Sequence, residues 1–312
     1  MKVLFTGSSS FTGYWFIREL VAAGHEVTAT FRRNPGLYEG VRGRRAEAVQ
    51  ALCECVFDCA FGEDRFMSVV GGGRGWDVMC HHGAEVGDYG NPDFDVAGAL
   101  RGNTHNVRSV LAALCGKGCG RLVTTGSVFE SDEGSGDGPL RAFSPYGLSK
   151  ALTCHALRYY AGAAGLPLGK FVIPNPFGPF EEPRFTTHLV REWYKGVTPE
   201  VRTPLYVRDN IHVSLLARAY AGFVAEQGGL PPFARMSPSG YVQTQGEFAA
   251  RFAAELRPRL GLACALSFAE QTDFPEPRVR VNSDRPDAPP RDWDEKEAWD
   301  ELADFYRETY GQ

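Results

Sequence analysis

Tyr146 and Lys150 stand four residues apart in Tyr146-Gly147-Leu148-Ser149-Lys150, a helical run that follows the turn-prone segment 133–145. Residues at that spacing share a helix face, so the phenol and the ammonium point into one space. A free phenol titrates near about 10, and a neighbouring cation favours phenolate. Tyr146 is thereby suited to take or give a proton near neutral pH, with Lys150 setting its poise. A chain with 12 tyrosines produces such pairs by chance as well, so the meaning of this one depends on its surroundings.

Those surroundings begin at the N-terminus. Residues 2–6 read as a largely apolar strand, Gly7 to Gly13 as a tight loop, Tyr14 to Ala23 as a helix and Val27 to Phe31 as a second strand. This is the start of a βαβ unit, in which glycines let backbone approach a pyrophosphate and the helix N-terminus stabilises its charge. With both segments in place the chain resembles the extended short-chain dehydrogenase/reductase family, whose members mostly act on nucleotide-linked sugars.

The resemblance implies roles residue by residue. The family loop reads Thr-Gly-x-x-Gly-x-x-Gly; Thr6, Gly7 and Gly13 match, while Ser10 replaces the middle glycine and is short enough to donate to phosphate. Ser9, Phe11 and Thr12 complete the loop as expected cofactor contacts. After the second strand an acidic residue would suit the ribose of NAD, whereas Arg32 and Arg33 suit the extra phosphate of NADP. NADP is therefore the expected cofactor, with NAD possible. Arg42, Arg44 and Arg45 either add to that positive field or face water. Asp58, with Cys59 beside it, ends the third strand where the family caps the adenine. His82, Gly83 and Ala84 follow the fourth strand where backbone nears the cofactor. The His81-His82 pair reads as packing, because adjacent strand residues face opposite ways and no third metal ligand lies at usual spacing.

Asn103 opens a helix running to Cys115, at the place where the family keeps a buried Asn that supports the lysine. Thr125, at the end of the fifth strand, would hold the substrate oxygen against Tyr146, stabilising charge that develops during hydride transfer. Sugar 4,6-dehydratases of the family carry Asp-Glu directly after this threonine; Gly126 and Ser127 stand there instead, which argues against that elimination. Some family reductases place a Cys at Ser127 and a His near His188 for epimerisation, but a serine is a far weaker base than a thiol. Ser127 and His188 are kept as substrate contacts. Pro174, also a cofactor contact, leads into Asn175-Pro176-Phe177-Gly178-Pro179, similar to a turn that meets substrate phosphate. Arg208, in Val207-Arg208-Asp209-Asn210-Ile211-His212-Val213, matches the arginine that clamps the diphosphate. Arg278 carries no assigned role.

Length and charge set the outer bounds. A chain of 312 residues buries a large core, and a net charge of -5 with no basic block excludes nucleic acid and anionic membrane as partners. No apolar run reaches the length of a span, and Met1-Lys2-Val3 leads straight into a strand, so a soluble cytoplasmic protein is expected. The eight cysteines complete no zinc pattern and read as reduced thiols.

The expected fold is α/β, a doubly wound parallel Rossmann sheet over 1–175, with segment 205–228 returning to it and a smaller C-terminal substrate-binding domain over 176–312. The expected function is oxidoreduction of a nucleotide-linked sugar, as ketone reduction at C4 by Thr125, Tyr146 and Lys150 with NADP. Alternatives are a non-redox epimerase with tightly bound NAD, a reductase of a non-sugar ketone and a non-catalytic dinucleotide sensor. Family dimers imply a homodimer through the Asn103 and Tyr146 helices.

Overall fold

A computed structural model describes residues 1–73, 75–87, 90–226, 228–284 and 293–311. In chain order its first half reads β1 (Lys2–Thr6), α1 (Phe11–Ala22), β2 (Glu26–Thr30), α2 (Gly40–Gln50), β3 (Glu54–Val56), α3 (Asp64–Gly71), β4 (Val78–His81), α4 (Val96–Asn103), α5 (Val107–Gly116), β5 (Arg121–Ser127), β6 (Ser135–Gly136), α6 (Pro145–Ala164) and β7 (Leu168–Ile173). There follow β8 (Asn175–Phe177), α7 (Phe185–Tyr194), β9 (Glu200–Val201), β10 (Val207–His212), α8 (Val213–Ala225), β11 (Phe233–Met236), β12 (Tyr241–Thr244), α9 (Gln245–Leu260), β13 (Ser267–Phe268), β14 (Val279–Val281) and α10 (Glu295–Tyr310).

Two compact units result. The first comprises 1–133, 140–173 and 217–237; the second comprises 134–139, 174–216 and 238–312. The first holds a seven-stranded sheet in the order β11-β7-β5-β4-β1-β2-β3, every neighbouring pair parallel. The order runs outward in both directions from β1 and β4, as in a doubly wound fold.

Side-chain alternation explains why this sheet is covered on both faces. Leu4, Met79, Leu122 and Leu168 are register partners across four strands, and all four belong to one buried cluster with Phe66 and Val70 of α3, Val110, Leu111 and Leu114 of α5, and Leu157 of α6. One residue along, Phe5 faces the opposite side, where Phe16 of α1 stacks on Tyr220 of α8 at 4.0 Å and Phe171 meets Tyr220 edge-on at 5.1 Å. Gly169 sits in this second face because a Cβ there would lie 2.9 Å from the Phe223 ring.

The expected helix from Asn103 to Cys115 is two helices. Asn103 closes α4, and Asn106 takes a left-handed backbone (φ 50°) before α5 begins. Its side-chain amide donates to the Gly62 carbonyl at 2.8 Å, an interaction that rewards the break. Helix α1 starts at Phe11, earlier than the apolar periodicity suggests, because Ser10 accepts from the Gly13 amide and caps it.

The second unit contains a sheet ordered β12-β10-β14-β6, with β8 also paired to β10. Its core is aromatic: Phe177, Trp193, Phe248, Phe252, Trp299 and Tyr306 form one buried cluster. Asp209 in β10 is fully buried and accepts from the amides of Gly240 (2.7 Å) and Asn282 (3.1 Å). At its edge Glu181 is buried as well, accepting from the Thr186 hydroxyl at 2.6 Å, and burial pushes its carboxyl up to about 7.

That shift carries a sign. Between the ordinary value of 4.5 and about 7 the folded state keeps a proton on Glu181 that the unfolded state has lost, so stability falls by about 1.4 kcal/mol per pH unit across the window and is flat above it. Glu181→Gln should remove this slope. In urea titrations the variant should gain on the parent as pH rises from 5 to 8, and an unchanged difference would contradict the assignment.

Candidate active site

Helix α6 carries Tyr146 and Lys150, and its start is built to lie close to β5. Ser144 caps it by accepting from Gly147 N–H at 3.3 Å, and Pro145 occupies the first turn. At Gly147 a Cβ would fall 2.3 Å from the Phe129 carbonyl oxygen, so only glycine permits this approach. Tyr146 is partly buried, its ring 6.2 Å edge-on from Phe94. Lys150 is buried, at 6% exposure, and makes no ion pair among the described residues. Burial holds its ammonium below the usual amine range; Glu130 opposes that and Lys170 adds to it.

The loop between β1 and α1 forms a tight cradle. Gly7 has φ 80°, and a Cβ on it would lie 2.7 Å from the Gly83 nitrogen; one on Gly13 would lie 2.3 Å from the Gly7 oxygen. The Ser10 hydroxyl turns back on this loop instead of outward, donating to Gly7 O at 2.8 Å and accepting from Gly13 N–H at 3.0 Å. Its replacement of the family glycine therefore serves as a helix cap, not as an outward donor. Phe11 and Thr12 open the helix behind it. Ser9 is held from the side of α2: its carbonyl accepts from Arg45 Nε at 2.9 Å and its hydroxyl from Arg42 Nε at 3.0 Å. Arg45 is fully buried, so it faces neither water nor a ligand phosphate and instead props the loop.

At the strand ends beside the cradle, His81 and His82 point to opposite faces. His81 bonds Thr6 Oγ1 at 3.1 Å and the Asn103 carbonyl at 3.0 Å. His82 does more than pack. Its Nε2 lies 2.9 Å from Ser10 Oγ and 3.1 Å from Thr12 Oγ1, and its Nδ1 lies 2.8 Å from Thr125 Oγ1. Burial pulls His82 down to about 3 and His81 to about 4, so both rings are neutral. Gly83 N–H donates to Thr6 Oγ1 at 3.0 Å, and Ala84 follows it. Asn103 accepts from Glu85 N–H at 2.8 Å and donates to Thr153 Oγ1 at 3.2 Å; its side chain braces α6 at Thr153, one turn beyond Lys150.

Arg32 and Arg33 are both exposed after β2, with Arg32 in an ion pair with Glu85. Partial desolvation of its half-covered side chain, then the like charges of Arg33 and Arg42, lower the guanidinium of Arg32. Asp58 takes a left-handed backbone (φ 51°) with Asn34 Nδ2 at 3.5 Å from its carboxylate, while Cys59 is buried with its amide on Phe31 O at 2.9 Å. The cradle and the buried Lys150 suit a dinucleotide: backbone for pyrophosphate and an ammonium for hydroxyls.

Beyond Thr125 the chain holds a buried ion cluster that sequence reasoning missed. Lys170 of β7 donates to Glu130 at 2.5 Å and to Glu133 at 2.7 Å, all three side chains less than a tenth exposed. Glu130 also accepts from Ser127 N–H at 2.7 Å, while the Ser127 hydroxyl accepts from Phe129 N–H at 3.2 Å. A Cβ at Gly126 would meet Lys170 Cε at 2.5 Å. The signal was present, since a lysine in an otherwise apolar strand needs partners, but their identity depends on the turn after β5.

The other expected site residues lie in the second unit. Pro174 leads into β8, where Asn175 Nδ2 donates to Asp209 O at 3.3 Å. His188 is on the exposed side of α7. Arg208 is nearly buried, its Nη1 donating to the carbonyls of Val207, Pro277 and Arg278 and its Nη2 to Glu276 at 3.0 Å. Among the described residues no group of three or more His, Cys, Asp or Glu is placed to hold a metal, and no helix is long and apolar enough to cross a membrane.

A parallel doubly wound sheet, a glycine cradle at its first strand and a Tyr-Lys pair on one helix face define a dinucleotide-dependent enzyme of the short-chain dehydrogenase/reductase type. The NAD dependent epimerase/dehydratase family model matches residues 3–231, and the chain belongs to that family. No curated protein matches it. Solved structures share its fold along the whole length. UDP-glucose 4-epimerase of Thermotoga maritima, solved with UDP-glucose, aligns with a TM-score of 0.73 at 15% identity, covering 99% of each chain. MoeE5 in complex with UDP-glucose and NAD aligns at 0.70 and 20%, again covering 99% of each. DesIV, a dTDP-glucose 4,6-dehydratase of Streptomyces venezuelae with NAD bound, aligns at 0.71 and 21%, covering 100% of this chain and 98% of that one.

The ion cluster yields a stability prediction. Lys170→Met removes the cation that two buried carboxylates share, with Arg235 still 3.5 Å from Glu133, and should cost about 3–5 kcal/mol in urea unfolding at pH 7. Most of that loss should be recovered in Lys170→Met/Glu130→Gln/Glu133→Gln. A triple variant no more stable than the single one would show that the charges are not the cause.

Proposed function

We propose that this chain reduces a ketone on a nucleotide-linked sugar, at C4 of the ring, with NADP(H) and with Tyr146 as the general acid. The observation that carries this reading is the buried ammonium of Lys150, without an ion pair among the described residues and one helical turn from a phenol that is only partly buried. Burying a charge that way is costly unless a ligand takes part of its hydrogen-bonding capacity, and it favours loss of the neighbouring phenol's proton.

When bound, the dinucleotide supplies the hydride for the ketone carbon. Tyr146 gives its proton to the ketone oxygen as that oxygen becomes a hydroxyl, and recovers one from water. Lys150 steadies the phenolate in between, and Thr125 contacts the reacting oxygen. Gly7, Gly13 and the start of α1 hold pyrophosphate; Arg32 and Arg33 hold the additional phosphate of NADP. Arg208 takes the sugar diphosphate in exchange for Glu276, with Asn175 beside the same strand. Gly126 and Ser127, standing where the carboxyl pair of a dehydratase would be, argue against dehydration by that route.

A second reading, an epimerase that retains NAD and returns the hydride to the same sugar, is favoured by the ion pair between Arg32 and Glu85, which engages one of the two guanidiniums expected to choose NADP. Turnover without added cofactor, together with NAD recovered from denatured protein, would decide for it.

Tyr146→Phe should lower turnover in a panel of UDP- and dTDP-sugars by at least about 100-fold while leaving NADP affinity within about twofold. Near-parental turnover in that variant would sink the reading. Arg208→Ala should weaken binding of the same nucleotide sugars far more than binding of NADP, by calorimetry; equal losses would mark a folding defect.

A further inference from the structure

His82 touches both the dinucleotide cradle and the strand end that bears Thr125, and a hydrogen count decides how. The ring is neutral, held so by burial and then by the positive charge of Lys150, and therefore has one N–H and one lone pair. Ser10 has one hydrogen, and it is used on Gly7 O at 2.8 Å, while one of its lone pairs takes Gly13 N–H at 3.0 Å. Toward His82 it can only accept. The 2.9 Å contact is then a donation from Nε2–H to Ser10 Oγ, with Thr12 Oγ1 next to it at 3.1 Å. Nδ1 is left with its lone pair, and the 2.8 Å contact to Thr125 is a donation from the threonine hydroxyl.

We infer that His82 is a positioning residue: it anchors on Ser10 through Nε2–H and takes the Thr125 hydrogen on Nδ1, so Thr125 offers the reacting oxygen a lone pair in place of a hydrogen. This rests on the proposed placement of Thr125 at the reacting oxygen. It reverses the donor role expected of that threonine. A substrate hydroxyl is held by donating to Thr125, and a substrate ketone receives its hydrogen from Tyr146 alone.

The test is the protonation of the ring. Protein labelled with 15N-histidine, with His82→Gln identifying the resonances, is read by two-bond proton–nitrogen correlation between pH 6 and 9. The expected result is a protonated Nε2, an unprotonated Nδ1 and no titration. Thr125→Val should move the Nδ1 resonance further toward that of a bare lone pair and leave Nε2 in place, whereas Thr125→Ser, which keeps the hydroxyl, should leave both. If the valine variant does not fold, Thr125→Ala serves in its place. A protonated Nδ1, a ring that titrates near the ordinary 6.5, or an Nδ1 resonance indifferent to loss of the hydroxyl would each overturn the inference. None of these readings needs turnover, so they fail independently of the proposed activity, which stands or falls with Tyr146→Phe.

Discussion

The geometry of the first unit depends on a backbone meeting backbone: α6 at Gly147 against the carbonyl of Phe129, with no room for a single methyl group. Because the helix can lie that close to the turn after β5, residues 146 and 150 are brought to the strand ends instead of being held off by side chains. The Ser144 cap and Pro145 then fix the first turn, which matters because a frayed helix start would blur the position of Tyr146. The motif's glycine is thus as informative as its tyrosine and lysine.

Burial at this approach divides two lysines by their surroundings. Burial alone would lower Lys170, but Glu130 and Glu133 more than offset it and leave it raised; Lys150, near the same Glu130 but outside that triad, stays lowered. One cation is thereby fixed as structure and the other left responsive to what binds beside it. The proximity of Lys170 itself contributes to the lowering of Lys150. A polar layer of Thr6, His81, Thr124 and Lys170, register partners across four strands, lies one step beyond the leucine and methionine row of the core. The apolar row secures the sheet, and the polar row connects it to the site.

Much of this was legible in the residues. The opening βαβ unit, its glycine cradle and the shared helix face of Tyr146 and Lys150 follow from periodicity and spacing, because local backbone demands of glycine and helix faces leave a direct trace, while Thr125 and the full parallel sheet come from the family resemblance. What was not legible depended on long-range pairing. The break at Asn106 is rewarded by the carbonyl of Gly62, 44 residues away, which no local propensity encodes. Arg45 reads as either part of a phosphate-binding field or solvated, yet its guanidinium ends beneath Ser9. His82 reads as packing because its partners, Ser10 and Thr12 at the start of α1 and Thr125 at the end of β5, come from two distant segments.

The crowding at Gly126 has an evolutionary side. A side chain there collides with Lys170, Lys170 is committed to Glu130 and Glu133, and Glu130 also holds the amide of Ser127. A carboxyl acquired at that position would enter beside Lys170, whose charge Glu130 and Glu133 already share, so the cluster would have to rearrange around it. Chemistry that needs an acid after the threonine would thus come to this chain only together with a rearranged ion cluster beneath it.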